Sequence, residues 1–192
     1  MDLKELVINS RSYRRFDESY LVGGEILHHL VQLAQYSPTG NNIQPLKFWL
    51  SNTPEMNQKI FQHLGWAGSL KDWDGPEEGE RPAAYIIILG DTDIQLNFAV
   101  DHGIAAQSMK LGATEKGLGS CMIASVQREA LHQSLGIPKR YRILLVLALG
   151  KPVETVVTEP IGADGSAKYY RDSEAVHHVP KRSLNELIVH DV

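Results

Sequence analysis

The chain has 192 residues, 43% of them hydrophobic and 22% charged, which is typical of a single globular domain with its own core. Its formal net charge of -4 argues against a nucleic-acid-binding protein, because phosphates attract broadly basic surfaces. One cysteine cannot build a disulfide framework, the N-terminus does not have the pattern of a signal peptide, and no apolar run approaches the roughly 20 residues of a membrane span. We therefore expect one domain over residues 1–192, located in the cytoplasm, without nucleic-acid or membrane partners.

The first part of the chain predicts three helices and one strand. A short helix follows Asp2, which is placed as its N-cap, and a longer helix with apolar residues at helical spacing ends at Pro38. Residues 46–50 form a strand candidate. Thr53 as a cap and Pro54 at the first helical position predict the next helix.

The middle of the chain alternates strands and helices. The apolar, β-branched run at residues 83–91 predicts a strand buried on both faces. A long helix is expected from Gln95 to about Glu115, with small residues spread among large ones. Residues 118–126 and 141–150 are further strand candidates, and residues 127–136 form a helix between them. This mixture predicts an α+β fold.

The chain after Gly150 differs in character. Residues 151–182 contain three prolines and two glycines and show little periodicity. Because a structureless stretch of this length is unusual inside a compact monomer, we expect residues 151–192 to form an arm that lies on another subunit. A last helix is predicted after Ser183, its cap.

The segment "SRSYRRFD", residues 10–17, is a candidate anion site. Arg11 and Arg14 with the Ser12 hydroxyl can hold a phosphate through charge-assisted hydrogen bonds. We expect Arg15 to face water. For three arginines alone, the alternative is a solvated charge cluster without a ligand.

Two further segments carry candidate ligands. Between a helix and a strand, turn residues are expected, but "SPTGNNIQP" also carries Thr39, Asn42 and Gln44, which can line a pocket for a heterocycle with carbonyl and N–H edges. Lys181 and Arg182 precede the last helix, where anions are favoured. The alternative for this pair is a basic patch before a surface helix.

Other patterns indicate no chemistry. Gly117 and Gly119 follow a helix and precede a strand, so they do not form a dinucleotide-binding loop, whose glycines follow a strand. The adjacent histidine pairs point apart and lack ligand spacing for a metal, and we predict no metal site. Cys121 lies in an apolar strand and is expected to be buried rather than nucleophilic.

Taken in chain order, these segments resemble the nitroreductase family of FMN-dependent oxidoreductases. A pattern like R-R-S-x-R-x-F stands at residues 10–16, and a helix end like A-x-x-S-P-S-S-x-N-x-Q-P-W stands at residues 34–46. The family turn G-L-G-S/T corresponds to residues 117–120, and its late Pro-Lys/Arg stretch corresponds to residues 180–182. The resemblance covers nearly the whole chain.

The resemblance implies an α/β/α sandwich around a mixed central sheet and a homodimer formed across the long helix. It places two FMN sites at the subunit interface and the C-terminal arm on the partner. The small residues of the long helix agree with a close approach of two such helices. By position it implies phosphate and ribityl contacts from Arg11, Ser12, Arg14, Lys181 and Arg182, and flavin-edge contacts from the partner's Pro38, Thr39, Gly40 and Asn42. Gln44 is implied to support that loop or to contact the ribityl chain, and backbone N–H groups around Ala124 and Ser125 are implied to lie near the flavin N5 and the carbonyl edge.

Three positions depart from the family pattern. Ser10 replaces the first arginine, Leu46 replaces the aromatic residue after Gln-Pro, and residues 122–125 replace a Pro-x-Glu-Gly segment of some relatives. The last change removes a carboxylate near the flavin. These departures leave the implied fold unchanged and leave the substrate open.

The resemblance also implies the reaction. Hydride passes from NADH or NADPH through flavin N5 to a nitroaromatic, quinone or similar acceptor in a ping-pong cycle, which needs no catalytic side chain. Alternatives are another flavin reaction (reductive dehalogenation or flavin cleavage), an FMN-binding module without turnover, and a dimeric scaffold without a ligand.

Overall fold

The structure is a computed structural model that describes residues 1–191, which form six α-helices, one short 3₁₀ helix (Gly40–Asn42) and eight strands. The helices are α1 (Leu3–Asn9), α2 (Gly24–Gln35), α3 (Pro54–Phe61), α4 (Asp101–Glu115), α5 (Arg128–Leu135) and α6 (Leu184–Leu187). The strands are β1 (Phe16–Asp17), β2 (Leu46–Ser51), β3 (Ala84–Asp91), β4 (Gly119–Ile123), β5 (Tyr141–Pro152), β6 (Val156–Pro160), β7 (Tyr170–Arg171) and β8 (His177–Lys181). Within these residues, no helix combines the length and the apolar character that crossing a bilayer requires.

The caps predicted from the sequence begin the helices where expected. The Asp2 side chain accepts a hydrogen bond from the Glu5 N–H group at the start of α1, and Ser183 forms a capping box with Glu186 at α6. Thr53 caps α3, with Pro54 in its first turn. These local signals are confirmed because a cap needs only residues within one turn.

The central sheet has the spatial order β4-β5-β3-β2, with β1 paired to the end of β5. Every strand pair in it is antiparallel, so the predicted mixed sheet is wrong. The reason is that α4 connects β3 to β4, which run in the same direction, but β5 lies between these two strands. Each of them therefore pairs with β5, which runs the opposite way.

Helices cover both faces of this sheet, as the predicted α/β/α sandwich requires. On one face, Ile86 and Ile88 of β3 pack with α2 and α4 residues, among them Leu30 and Met109. On the other face, Ile87 packs with α3 and α5 residues such as Ile60 and Leu131. All eight residues of β3 are buried, which confirms the predicted strand with two covered faces.

Helix α4 begins at Asp101, six residues after the predicted start at Gln95. Phe98 is buried against Gly90 at the end of β3, where an added Cβ atom would lie 2.4 Å from the Phe98 ring. Ala99 has a φ of 40°, outside the helical region. The anchoring of Phe98 thus holds this segment in a turn and delays the helix.

Most small residues of α4 pack inside the chain. Ala105, Ala106 and Ala113 are buried, and a Cβ atom added to Gly112 would lie 2.3 Å from Leu33 of α2. The close helix approach predicted from these four residues is therefore made by α2. Gly103 is exposed, with nothing within 4 Å of an added Cβ atom, and the homodimer across this helix stays a prediction.

The C-terminal arm is more regular than its composition predicts. Strands β6 and β8 pair in parallel and β7 adds to β8 in antiparallel orientation, forming a small three-stranded sheet. Pro160 lies in an edge strand, and Pro180 lies where β7 no longer pairs with β8. These positions tolerate a missing N–H donor, which is why the prolines did not prevent strands.

Candidate functional site

A cavity of about 360 Å³ lies between the N-terminal segment, α4 and the C-terminal arm. We call it the arginine cavity. It brings together four residues of the N-terminal pattern, one lysine of α4 and three residues of β8, which stand far apart in the sequence. Its charged and polar lining includes Arg11, Ser12, Arg14, Lys110, His177 and Lys181.

A buried carboxylate holds the N-terminal segment in place. The Glu154 side chain has no exposed surface and accepts hydrogen bonds from the backbone N–H groups of Arg14 and Arg15. Its second oxygen accepts a hydrogen bond of 3.0 Å from Arg171. These three donors satisfy the Glu154 carboxylate. They also fix the backbone of the N-terminal segment so that the Arg14 side chain lies at the cavity.

Arg15 does not face water, in contrast to the prediction. Its guanidinium donates two hydrogen bonds to the Glu80 carboxylate, at 2.6 and 2.5 Å, in the bidentate geometry that arginine favours. This pairing raises the pKa of Arg15 and lowers the pKa of Glu80. The loop that carries Glu80 is thereby tied to the N-terminal segment.

Arg14 is positioned by two aromatic residues of the arm. Its NH1 atom lies 3.1 Å from His177 Nε2, and its guanidinium carbon lies 4.8 Å from the Tyr169 ring centroid. Burial, followed by the charge of Arg14, lowers the pKa of His177 to about 4. The imidazole is therefore neutral at neutral pH, and Nε2 can accept from Arg14.

Lys110 is a site residue that the sequence reasoning missed. Only 5% of it is exposed, and its Nζ atom donates to the carbonyl oxygens of Arg11 (3.1 Å) and Ser120 (3.4 Å). Burial is the main cause that lowers the pKa of Lys110 to about 8, and the charges of Arg11 and Arg14 lower it further. The sequence feature that could have indicated this buried lysine is its position between Met109 and Leu111, on the apolar side of a long helix.

The arginine cavity fits a phosphate group. Among residues 1–191, no carboxylate oxygen lies within 4.0 Å of the charged groups of Arg11, Arg14, Lys110 or Lys181. The Ser10 hydroxyl and the Arg11 Nε atom are buried without a hydrogen-bond partner in the same part of the chain. An anion with several acceptor oxygens satisfies both requirements.

Arg182, Ala124 and Ser125 lie outside the arginine cavity. Arg182 is exposed, forms an ion pair of 3.4 Å with Glu186 and borders a neighbouring cavity. The Ala124 and Ser125 carbonyls accept from Arg128 and from the Gly65 N–H group just beyond β4. Within one chain, only Lys181 of the predicted C-terminal pair reaches the N-terminal arginines.

The predicted flavin-edge loop, residues 37–45, is also separate from the arginine cavity. Its Gly40 N–H group donates to Asp101 at the start of α4 (3.0 Å), whereas Lys110 lies nine residues further along, or about 14 Å at 1.5 Å per residue. Thr39 and Gln44 line another cavity of about 280 Å³ beside α2 and β2. Pro38 and Asn42 are exposed.

The loop has a strained backbone at defined positions. Asn41, Asn42 and Gln44 have φ values of 50°, 55° and 54°, a region that asparagine tolerates better than glutamine. The side-chain amide of Gln44 donates to the Asn42 carbonyl oxygen (3.2 Å). The backbone N–H group of Gln44 donates to Thr39 Oγ1 (3.3 Å). These bonds hold the polar side chains in one arrangement at the surface.

The arm contains an imidazole clamped between two carboxylates. Both ring nitrogens of His178 lie near carboxylate oxygens, Nε2 at 3.0 Å from Asp172 and Nδ1 at 2.9 Å from Glu159, and its ring stacks on Tyr170. Only the protonated imidazole can donate from both nitrogens. The hydrogen bonds to Asp172 and Glu159 accordingly raise the pKa of His178 above 6.5.

We expect this clamp to make the arm pH-sensitive. A raised pKa in the folded state means that the stabilising contribution is complete below about pH 6.5 and is lost as the pH rises through the folded pKa. Hydrogen exchange, corrected for intrinsic rates, should show less protection of β7 and β8 at about pH 9 than at about pH 6. His178→Gln should abolish this difference, and His28→Gln, on the exposed side of α2, should leave it unchanged.

Comparison with known proteins agrees with this architecture. The family model described as "Nitroreductase family" matches residues 8–151. The chain is 25% identical to the FMN reductase (NADPH) of Bacillus subtilis (strain 168) over 173 residues, covering 81% of this chain and 68% of the relative.

Two solved structures are similar in fold. A nitroreductase family protein from Clostridium difficile 630 aligns with a TM-score of 0.70 at 18% identity, covering 100% of this chain and 99% of the other. A nitroreductase in complex with FMN from Exiguobacterium sibiricum 255-15 aligns with a TM-score of 0.68 at 17% identity, covering 80% and 90%. The family model covers most of the chain and the fold agrees over its full length, so the chain belongs to the nitroreductase family.

Proposed function

We propose that this chain is an FMN-dependent reductase that uses NADH or NADPH to reduce a small-molecule acceptor such as a nitroaromatic or a quinone. Family membership makes it an oxidoreductase, and the names of the relatives above support FMN as the cofactor and NADPH as a donor. The observation that carries the proposal is the meeting of Arg11, Arg14 and Lys181, from opposite ends of the chain, around one cavity without a carboxylate partner.

The arginine cavity would hold the phosphate end of FMN. Arg14 offers a planar fork of donors, kept in place by His177 and Tyr169, and the Ser12 hydroxyl and Lys181 add donors around it. When bound, FMN supplies the redox chemistry by accepting hydride at N5 and passing electrons to the acceptor. The protein contributes binding, orientation and a positive environment that favours the anionic reduced flavin.

We propose a homodimer in which the partner subunit's Thr39, Gly40 and Asn42 approach the flavin, together with its Pro38 and Gln44. In one chain this loop contacts the start of α4, whereas the arginine cavity lies about nine residues further along that helix, and in our proposal a second copy supplies the loop to the cofactor. Apolar residues at the end of the chain also need a covering surface. Exposed ones include Leu184 (69%), Leu187 (63%) and Val189 (100%).

Arg182, Ala124 and Ser125 belong to the proposal only through such an assembly. Because they lie outside the arginine cavity in one chain, we expect them to contact the sugar chain or the ring of FMN rather than its phosphate. We expect the loop of residues 66–81 to shape the acceptor pocket and so to select the physiological acceptor. This loop is tied to the arm by the Ser69 N–H group, which donates to the Tyr169 hydroxyl (3.2 Å).

The function is tested by spectroscopy of the purified protein. We expect a yellow protein, bleached by NADH or NADPH under anaerobic conditions and recoloured by a nitroaromatic or a quinone. Steady oxidation of NAD(P)H in the presence of acceptor is the expected result. A protein that holds FMN but does not turn over would be a binding module, and one that stays colourless after FMN is supplied would be a scaffold; either outcome contradicts the proposal.

A further inference from the structure

We propose that Lys110 is a direct ligand of the phosphate in the arginine cavity, and that phosphate binding draws one proton from solvent onto its amine. This inference rests on the proposed function, since both concern the same cavity. It adds a residue of α4 to the phosphate site and a coupling between cofactor binding and pH.

The geometry places a free donor of Lys110 at the cavity. The Nζ atom of Lys110 donates two hydrogen bonds, one to the carbonyl oxygen of Arg11 and one to that of Ser120. A protonated amine has three donors, so one N–H group remains, and the side chain is part of the cavity wall. Because Lys110 lies within a 15-residue helix and is almost fully buried, the position of its amine is well defined.

The charges around Lys110 leave its proton loosely held in the absence of an anion. From the N-terminal segment Arg11 and Arg14 face it, and both are cationic. From β4 comes the Cys121 thiol, whose pKa burial raises, so it stays neutral. From β8 come neutral His177 and the cation Lys181.

The buried carboxylate of Glu154 is already engaged by other donors. It accepts hydrogen bonds from Arg171 and from the backbone N–H groups of Arg14 and Arg15. Burial among cations accounts for the pKa of about 8 for Lys110. A phosphate dianion at hydrogen-bond distance reverses this balance, because an opposite charge within a few ångströms favours the charged form.

The coupling has a definite size and a definite pH range. With a pKa of about 8, most of Lys110 is neutral at about pH 8.5, so binding should take up a large fraction of one proton there. At about pH 7 the amine is already protonated, and the uptake should approach zero. The second ionisation of a phosphate monoester, near pH 6, is complete at pH 8.5 and does not contribute.

The experiment is calorimetric titration of the protein freed of FMN, at pH 8.5, in two buffers with different ionisation enthalpies. The difference between the two binding enthalpies gives the number of protons taken up. The probes are FMN, inorganic phosphate and riboflavin, which lacks the phosphate. We expect uptake with FMN and with phosphate, and none with riboflavin.

Three variants assign the proton to one residue. Lys110→Arg keeps a permanent charge and should bind FMN with no uptake, whereas Lys110→Met should bind FMN at least tenfold more weakly, also with no uptake. Lys181→Met removes another cation of the same cavity and should weaken binding while the uptake persists. If Lys110→Met does not fold, the arginine variant and the comparison of FMN with riboflavin in the native protein decide the question.

The outcomes separate the two proposals. Binding of FMN to the native protein without proton uptake at pH 8.5, equal uptake with riboflavin, or unchanged uptake in Lys110→Arg would each overturn the role of Lys110 and leave the proposed function standing. Failure of FMN to bind would overturn the proposed function. Proton uptake with inorganic phosphate would then still support Lys110 as a phosphate ligand.

Discussion

Replacing Arg14 with alanine is expected to weaken FMN binding by about 10- to 100-fold, the effect of losing a hydrogen bond to a charged group, about 1.5–3 kcal/mol. The Arg14 side chain is positioned by partners that are not anions, namely His177, Tyr169 and the Ser12 carbonyl oxygen. Its charge is therefore available to a ligand. Fluorescence titration of the FMN-free protein measures the change in dissociation constant.

Two matched variants show whether the effect comes from this position. Arg14→Lys keeps the charge but loses the planar fork, so we expect an intermediate affinity. Lys116→Ala removes an exposed cation that is paired with Glu115 and does not line the arginine cavity, and should change the affinity less than threefold. Native affinity in Arg14→Ala, or an equal loss in Lys116→Ala, would contradict the assignment of the phosphate to the arginine cavity.

Glu154→Gln is expected to destabilise the fold by about 3–5 kcal/mol, the usual effect of removing one partner of a buried ion pair. The carboxylate has no exposed surface, and its replacement leaves Arg171, whose side chain is 16% exposed, without an opposite charge. It also presents an amide N–H₂ group to a site surrounded by donors. Urea unfolding at one fixed protein concentration measures the free energy of unfolding.

The control is an exposed carboxylate at the end of α4 that forms an ion pair with a neighbouring lysine. Glu115 lies 3.6 Å from Lys116, and both side chains are about half exposed, so Glu115→Gln should change the free energy of unfolding by less than about 0.5 kcal/mol. The Glu154 variant should also bind FMN more weakly, since one amide oxygen can accept from the Arg14 and Arg15 N–H groups or from Arg171, but not from both sides. Equal stability of the two variants would show that Glu154 does not hold the segment.

Local patterns predicted much of the fold correctly. The caps at Asp2, Thr53 and Ser183 and the apolar run that became β3 depend on neighbours within one turn or on burial of every side chain. The order of four weak motifs was enough to indicate the nitroreductase family, which the family model confirms.

Errors arose where distant residues override a local pattern. Helix α4 starts later in the sequence than predicted because Phe98 packs on Gly90 at the end of β3. The arm forms a sheet because β6 and β8, about twenty residues apart, pair in parallel, and no period within either short strand reveals that pairing.

Taken by itself, the sequence determined which residues carry charge, where most helices and strands begin, and that Arg11, Ser12 and Arg14 form a candidate anion site. Only the tertiary structure decided that Lys181 reaches these arginines, that Arg15 is occupied by Glu80, and that Lys110 lies buried beside them. The physical reason is that caps and periodicity act over a few residues, whereas the charge, burial and pKa of a site residue depend on groups that folding brings together from the whole chain.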